Sequence, residues 1–333
     1  MAAKVLFVAA EGGAARFLLP LWQRWLQTPP AVDWRIIVGD GAAAMLRREG
    51  IVDALPILAS VDRRNGNIAP WLVQWTPDAL VASAGDGYAL ERAAVDHVRR
   101  GGCRSAQFID TWYNYRRRFE SPDGLHLPDE ILVIDQNAAS EAAAEGLPKG
   151  RIRAVGHPWW ESFPRWRPGP SNSVLFLGLQ VRRHYGHQLG YDETEMWQCV
   201  LAAAAGAPEL FQKLWYGMHP EQDEASLRDL GNGELITNSM TRIGQAGAVL
   251  GAFSAPMVDA YLCGTKVISV QPHPLGPDMC PLSRHGRIDR VTSADELIKA
   301  LKKTRHENQS DLDQALYKST DRVQGFIMEQ LLR

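Results

Sequence analysis

The sequence has no apolar run near the ~18 residues that a membrane-spanning helix requires, so no helical membrane span is expected. Its first ten residues are apolar, but they are too short and too weakly charged at the start for a signal peptide; they read as a first parallel strand. Cysteine is scarce. Cys103, Cys199, Cys263 and Cys280 are far apart without CxxC spacing, which predicts reduced, partly buried thiols and a cytoplasmic protein. Excess charge is missing too: 36 basic and 38 acidic residues give a net charge of −2, so no global attraction to nucleic acid or anionic membrane is expected. Neither an HExxH pattern nor a third ligand accompanies His184 and His187, so no metal site is expected. No internal repeat is visible.

What remains is an ordinary globular composition, 45% hydrophobic, in 333 residues, long enough for two domains. Residues 4–10, 34–38, 79–84, 105–109, 131–134 and 151–155 read as short buried strands. Helical spacing fills several of the gaps, notably 16–26, 88–100 and 138–145. Strand–helix alternation implies an α/β fold with a parallel sheet covered on both faces. Residues 163–172 are rich in proline and glycine and lack periodicity, which marks a linker. The strand pattern restarts at 173–177 and recurs at 214–218, 247–253, 265–270 and 288–291. The expected organisation is a first domain over 1–162, a linker over 163–172, a second domain over 173–309 and a long final helix over 310–333. Two doubly wound, Rossmann-like domains facing across a cleft would follow.

Two strand ends in the second half carry the functional reading. One ends in Met218-His219-Pro220, the other in Phe253-Ser254-Ala255-Pro256. Ligands of open α/β sheets bind just beyond the carboxyl ends of the strands. An imidazole, a hydroxyl and the backbone N–H groups of a helix starting at Ala255 suit a phosphate or diphosphate. Ser254 is equally a plain helix N-cap, and proline two positions later fits that role. Arg182 and Arg183, after the first strand of this half, can neutralise a diphosphate, and His273 follows another strand. His157-Pro158 reads as part of the turn between domains.

In the first half, three carboxylates stand at strand ends where a general base is useful: Glu11, Asp86 between two glycines, and Asp110. Each is also a plausible turn or cap residue. Asp110 opens an aromatic, polar stretch, Thr111-Trp112-Tyr113-Asn114-Tyr115-Arg116, suited to sugar recognition. The run Arg116, Arg117 and Arg118 reads either as a solvated helix end or as an anion site.

The His219-Pro220 element with Ser254 resembles the HP and serine motifs of bacterial sialyltransferases, Kdo transferases of capsule synthesis and CDP-glycerol glycerophosphotransferases, all B-type (GT-B) enzymes. The stretch from Phe253 to Ile268 resembles a broader pattern shared by UDP-N-acetylglucosamine 2-epimerases and many NDP-sugar transferases, with Ala255-Pro256 standing where the epimerases have two glycines. Gly12-Gly13 resembles the glycine loop that faces the acceptor in B-type transferases, and Gly156-His157-Pro158 resembles their exit from the first domain. The resemblance implies a metal-independent glycosyltransferase without cofactor. It would move a sugar, first a CMP-activated nonulosonic acid and second a UDP-sugar, to a glycan or protein acceptor. His219, Pro220, Ser254, Ala255, Arg182 and His273 would hold the donor, with Asp259 on its ribose. Asp86, Asp110 or Glu11 would be the base, and Gly12, Gly13, Trp112, Tyr113, Asn114 and Arg116 would meet the acceptor or sugar. The alternatives are a non-hydrolysing NDP-sugar epimerase or hydrolase, and a two-domain binding protein without catalysis.

Overall fold

A computed structural model describes residues 2–64, 67–85, 89–164, 167–219, 222, 231–303 and 310–333. The chain forms two compact units, one of Met1–Ser162 with Ser310–Arg333 and one of Phe163–Gln309.

The first unit is built on a seven-stranded parallel sheet of order β3-β2-β1-β4-β5-β8-β9. Its strands are β1 (Ala3–Ala9), β2 (Val32–Gly39), β3 (Ile57–Val61), β4 (Ala79–Ser83), β5 (Arg104–Phe108), β8 (Glu130–Val133) and β9 (Ile152–Ala154). A small antiparallel pair, β6 (Glu120–Ser121) and β7 (Gly124–Leu125), lies between β5 and β8. The helices are α1 (Gly12–Gln27), α2 (Asp40–Arg48), α3 (Ala69–Gln74), α4 (Ala89–Arg100), α5 (Gln136–Ala144) and α6 (Pro158–Ser162). β1 shows why its sequence is apolar without alternation. Val5, Phe7 and Ala9 enter the core under α1, while Leu6, Val8 and Ala10 enter the core on the opposite face. Under α1, Phe7 meets Trp22, Trp25 and Trp34 edge to face, with ring centroids 5.4–6.2 Å apart. Leu18, fully buried there, would cost about 2–5 kcal/mol on truncation to alanine.

The second unit has a six-stranded parallel sheet of order β12-β11-β10-β13-β14-β15. It comprises β10 (Ser173–Leu177), β11 (Lys213–Gly217), β12 (Glu234–Ile236), β13 (Ala248–Gly251), β14 (Lys266–Val270) and β15 (Asp289–Val291). Its helices are α7 (Val181–Tyr185), α8 (Glu193–Gly206), α9 (Met240–Ile243), α10 (Ala255–Leu262), α11 (Pro281–Arg284) and α12 (Ala294–Lys302). Asp192 and Glu195 form a reciprocal capping box that starts α8.

Three expectations are corrected. Residues 310–333 are not one long helix but α13 (Ser310–Leu316), α14 (Ser319–Phe326) and a final wide turn (Ile327–Leu331). The break is at Lys318, whose φ of 55° is left-handed. It lets Ser319 accept from the His157 N–H at 3.0 Å and lets Thr320 donate to Glu161 at 2.8 Å, so the C-terminus joins the first unit. Residues 163–172 group with the second unit rather than standing apart. The Gly169 N–H bonds the Ala246 carbonyl at 3.0 Å, and a side chain at 169 would overlap the Gln245 carbonyl. Gly12 and Gly13, expected in a loop, form the first turn of α1.

Candidate functional site

In the first unit the strand order turns back between β1 and β4, and the carboxyl ends around that point gather charged residues. Glu11 is the N-cap of α1, with extended backbone but no capping side-chain bond. Its carboxylate is instead ion-paired with Arg63, just past β3, and Arg63 Nε lies 3.5 Å from Asp40 at the start of α2. Asp110, past β5, points at α1: its Oδ2 would stand 2.9 Å from a Cβ added to Gly13. A side chain at 13 would therefore displace the Asp110 carboxylate from this stance.

Arg118 organises the Asp110 loop. Its guanidinium donates to the Ala84 carbonyl and to Thr111 Oγ1, both at 2.7 Å, and sits 3.8 Å from Asp110. The ends of β4 and β5 are thereby tied by one half-buried cation, which also lies over the Tyr113 ring. Asp86 falls outside the described residues.

The aromatic stretch divides on inspection. Trp112 is 1% exposed, donates its indole N–H to Asp135 at 2.9 Å and stacks on Trp160. Tyr115 is equally buried, with its hydroxyl on Glu141. A sugar platform needs an open ring face, so Trp112 is a core residue and that expectation is corrected. Tyr113 and Asn114 remain half-buried, Asn114 in a left-handed conformation. Arg116 is exposed and engaged by carboxylates: its side chain by Glu120 and its backbone N–H by Glu145.

In the second unit β10 pairs with β11 on one side and β13 on the other, so His219 and Ser254 flank the end of β10. Two strand spacings separate the ends of β11 and β13 by about 10 Å. Gly178 lies between them, and a Cβ on it would come 2.7 Å from Gln222 Oε1 and 2.9 Å from the Tyr216 hydroxyl. The His219 N–H is held by Gln222 Oε1 at 2.8 Å. Pro220 falls outside the described residues.

Ser254 occupies the N-cap of α10 but makes no side-chain cap bond. Its Oγ is buried without a hydrogen-bond partner among the described residues. Ala255 is exposed at the first helical position, and Pro256 contributes no N–H at the second. A hydroxyl and the positive end of a helix therefore converge, with no acceptor among the described residues spent on the hydroxyl.

The remaining donor-side expectations fare unevenly. Asp259 is 3% exposed and engaged within the protein. Arg182 is well exposed, bonds Asp192 at 3.1 Å and borders a hollow of about 490 Å³ shared with His187, Tyr191 and Glu195. His273 is exposed in a left-handed turn, beside a Leu275 N–H bonded to the Leu189 carbonyl. Among the described residues no group of three or more His, Cys, Asp or Glu side chains is placed to hold a metal ion.

His157 is a buried core residue, stacked on Trp160 at 3.8 Å; burial lowers its pKa to about 3, so it stays neutral. Sequence reasoning missed Arg63 and Glu91, and it singled out Arg118 only within the basic run 116–118, not as the partner of Asp110. The two arginines follow no strand motif and reach the site by long side chains; Glu91 reads as one more polar position of an amphipathic helix.

No protein-family model matches the sequence, and no curated protein matches it. Solved structures do match. UDP-GlcNAc 2-epimerase from Methanocaldococcus jannaschii is 14% identical over 98% of this chain and 99% of that one, with a TM-score of 0.67. The Neisseria meningitidis UDP-GlcNAc 2-epimerase bound to UDP-GlcNAc is 12% identical over 98% and 100%, also at 0.67. Arabidopsis thaliana UGT89C1 complexed with UDP is 10% identical over 97% and 98%, at 0.60. At such identities the likeness concerns the fold: this chain has the two Rossmann-like units of the GT-B fold.

Proposed function

We propose that this chain is a nucleotide-sugar enzyme, and specifically a glycosyltransferase that moves a sugar from a nucleotide donor to a glycan or protein acceptor. The observation that carries the reading is the buried Ser254 hydroxyl, without a partner among the described residues, at the start of α10, flanking β10 together with His219. These fixed donors would hold the donor phosphate as it becomes the leaving group, stabilising charge that develops in the transition state. Asp110, oriented by Arg118, is the first choice for the base that deprotonates the acceptor hydroxyl, with Glu11 second.

A UDP-linked donor takes first place over the CMP-linked nonulosonic acid. The latter needs a cation for its carboxylate, and Arg116 and Arg118 are already engaged by Glu120 and by Ala84 and Thr111. The two neighbours described with a bound nucleotide or nucleotide sugar hold UDP-GlcNAc or UDP, which also supports this order. Calorimetric titration with UDP and CMP tests it: tighter binding of CMP would restore the nonulosonic acid.

A second reading, epimerisation of the sugar, is favoured by the higher TM-scores of the two epimerases. Incubation with UDP-GlcNAc in D₂O separates the two. Epimerisation breaks a C–H bond and introduces deuterium into the sugar, whereas glycosyl transfer leaves every C–H bond intact. The transfer reading predicts no deuterium uptake, and its appearance would make the chain an epimerase.

A further inference from the structure

A buried acid lies directly beneath the charged edge of the first unit. Glu91, in the first turn of α4, is 1% exposed. Its Oε1 accepts the Ala10 N–H at 3.0 Å and also the Ser83 hydroxyl. Ala10 is the residue that precedes Glu11, and Ser83 is the last residue of β4. The Ser83 carbonyl in turn accepts from buried Gln107 on β5 at 2.8 Å. One carboxyl thus clasps the ends of the two strands between which the sheet order reverses. Its second oxygen is buried with no hydrogen-bond partner among the described residues.

An apolar side chain would leave the Ala10 N–H and the Ser83 hydroxyl without this acceptor, and an amide would keep the acceptor but bury an NH2 group in place of the second oxygen. A carboxylate beneath Glu11 has a consequence that neither substitute has: like charge repels Glu11 away from the core, towards Arg63.

We propose that Glu91 is a positioning residue for the acid/base groups of the first unit, fixing the end of β1 against the end of β4 and, through its charge, the stance of Glu11 on Arg63. This rests on the reading that Glu11 and Asp110 serve the chemistry. Of the elements packed on α4, β4 and α3 carry no titratable side chain, and β5 carries only Arg104 at its far end. The end of β1 brings Glu11, paired with Arg63, whose own carbonyl accepts the Leu90 N–H at 3.3 Å. Burial foremost, with a smaller contribution from Glu11, raises the Glu91 pKa to about 7. The clasp therefore changes its charge in the neutral range.

Two measurements test this. In ¹H–¹⁵N spectra of the full chain, the Ala10 amide should titrate with a midpoint near 7, and Glu91→Gln should abolish that step. The amide test needs no activity, so it stands or falls apart from the functional reading, which UDP titration tests. In turnover assays Glu91→Leu should lower kcat about a hundredfold with UDP affinity unchanged. Glu91→Gln keeps the acceptor for the Ala10 N–H but not the charge, so it should recover only part of that loss while removing the limb of the pH–kcat profile near neutrality. An Ala10 amide that does not titrate, or a folded Glu91→Leu variant with unaltered kcat and pH profile, would overturn the proposal.

Discussion

Between pH 8 and pH 5 two buried groups of the first unit act on stability in opposite directions, and replacing one should expose the other. Glu91 has a folded pKa of about 7 against an ordinary 4.5, so the native state binds the proton more tightly. Its contribution is complete below 4.5 and is lost as pH rises through 7. His157 has a folded pKa of about 3 against an ordinary 6.5, so the unfolded chain binds the proton more tightly. Stability from this group is complete above 6.5 and is lost progressively as pH falls towards 3. Integrating each shift from pH 8 to pH 5, Glu91 adds about 2.5 kcal/mol and His157 removes about 2 kcal/mol. The two nearly cancel. Apart from other titrating groups, the first unit should keep almost constant stability over this range. Glu91→Gln removes the gain and should leave a unit that loses about 2 kcal/mol on going to pH 5, while His157→Phe should gain a similar amount. Urea-dependent pulsed hydrogen exchange, read on peptides of α1, follows this unit alone. A Glu91→Gln variant whose pH dependence matches that of the parent would refute the assignment of a raised pKa to Glu91.

Other expectations follow from the strand ends. Ser254→Ala or His219→Ala should weaken UDP binding roughly ten- to hundredfold, the range of a charge-assisted hydrogen bond, with calorimetry as the measurement. Gly178→Ala should destabilise the second unit by about 1–3 kcal/mol, because the added methyl meets Gln222 and Tyr216; a melting temperature equal to the parent's would count against this packing. Asp110→Asn should lower kcat far more than it raises KM if Asp110 is the base, and a change confined to KM would move that role to Glu11. Nucleotide binding and turnover should withstand EDTA; activity lost to chelation and restored by Mn²⁺ would reverse the metal-free reading.

How much of this was legible depends on how local each signal is. Buried parallel strands announce themselves, because both faces need apolar residues: β1, β4 and β13 are visible in the sequence for that reason. β3 and β12 are not, since they lie at sheet edges, are short and are only half-buried, with Ser60 and Glu234 on their exposed sides. The carboxylates Glu11 and Asp110 were found from their place after strands, a property of the chain alone. Their pairings were not, because Arg63 arrives from another loop and Arg118 folds back from further along the loop of Asp110. Trp112 shows the reverse error. In sequence it is an aromatic in a polar stretch, and only the fold brings Trp160 from α6 against its face. Glu91 is the hardest case. Nothing distinguishes it in an amphipathic helix until the ends of β1 and β4 close over it, and that closure is what gives its carboxyl an unusual proton affinity. Charged residues at strand ends can thus be read from a sequence, but the partners that set their charge cannot, since pKa depends on burial and neighbours that tertiary structure alone supplies.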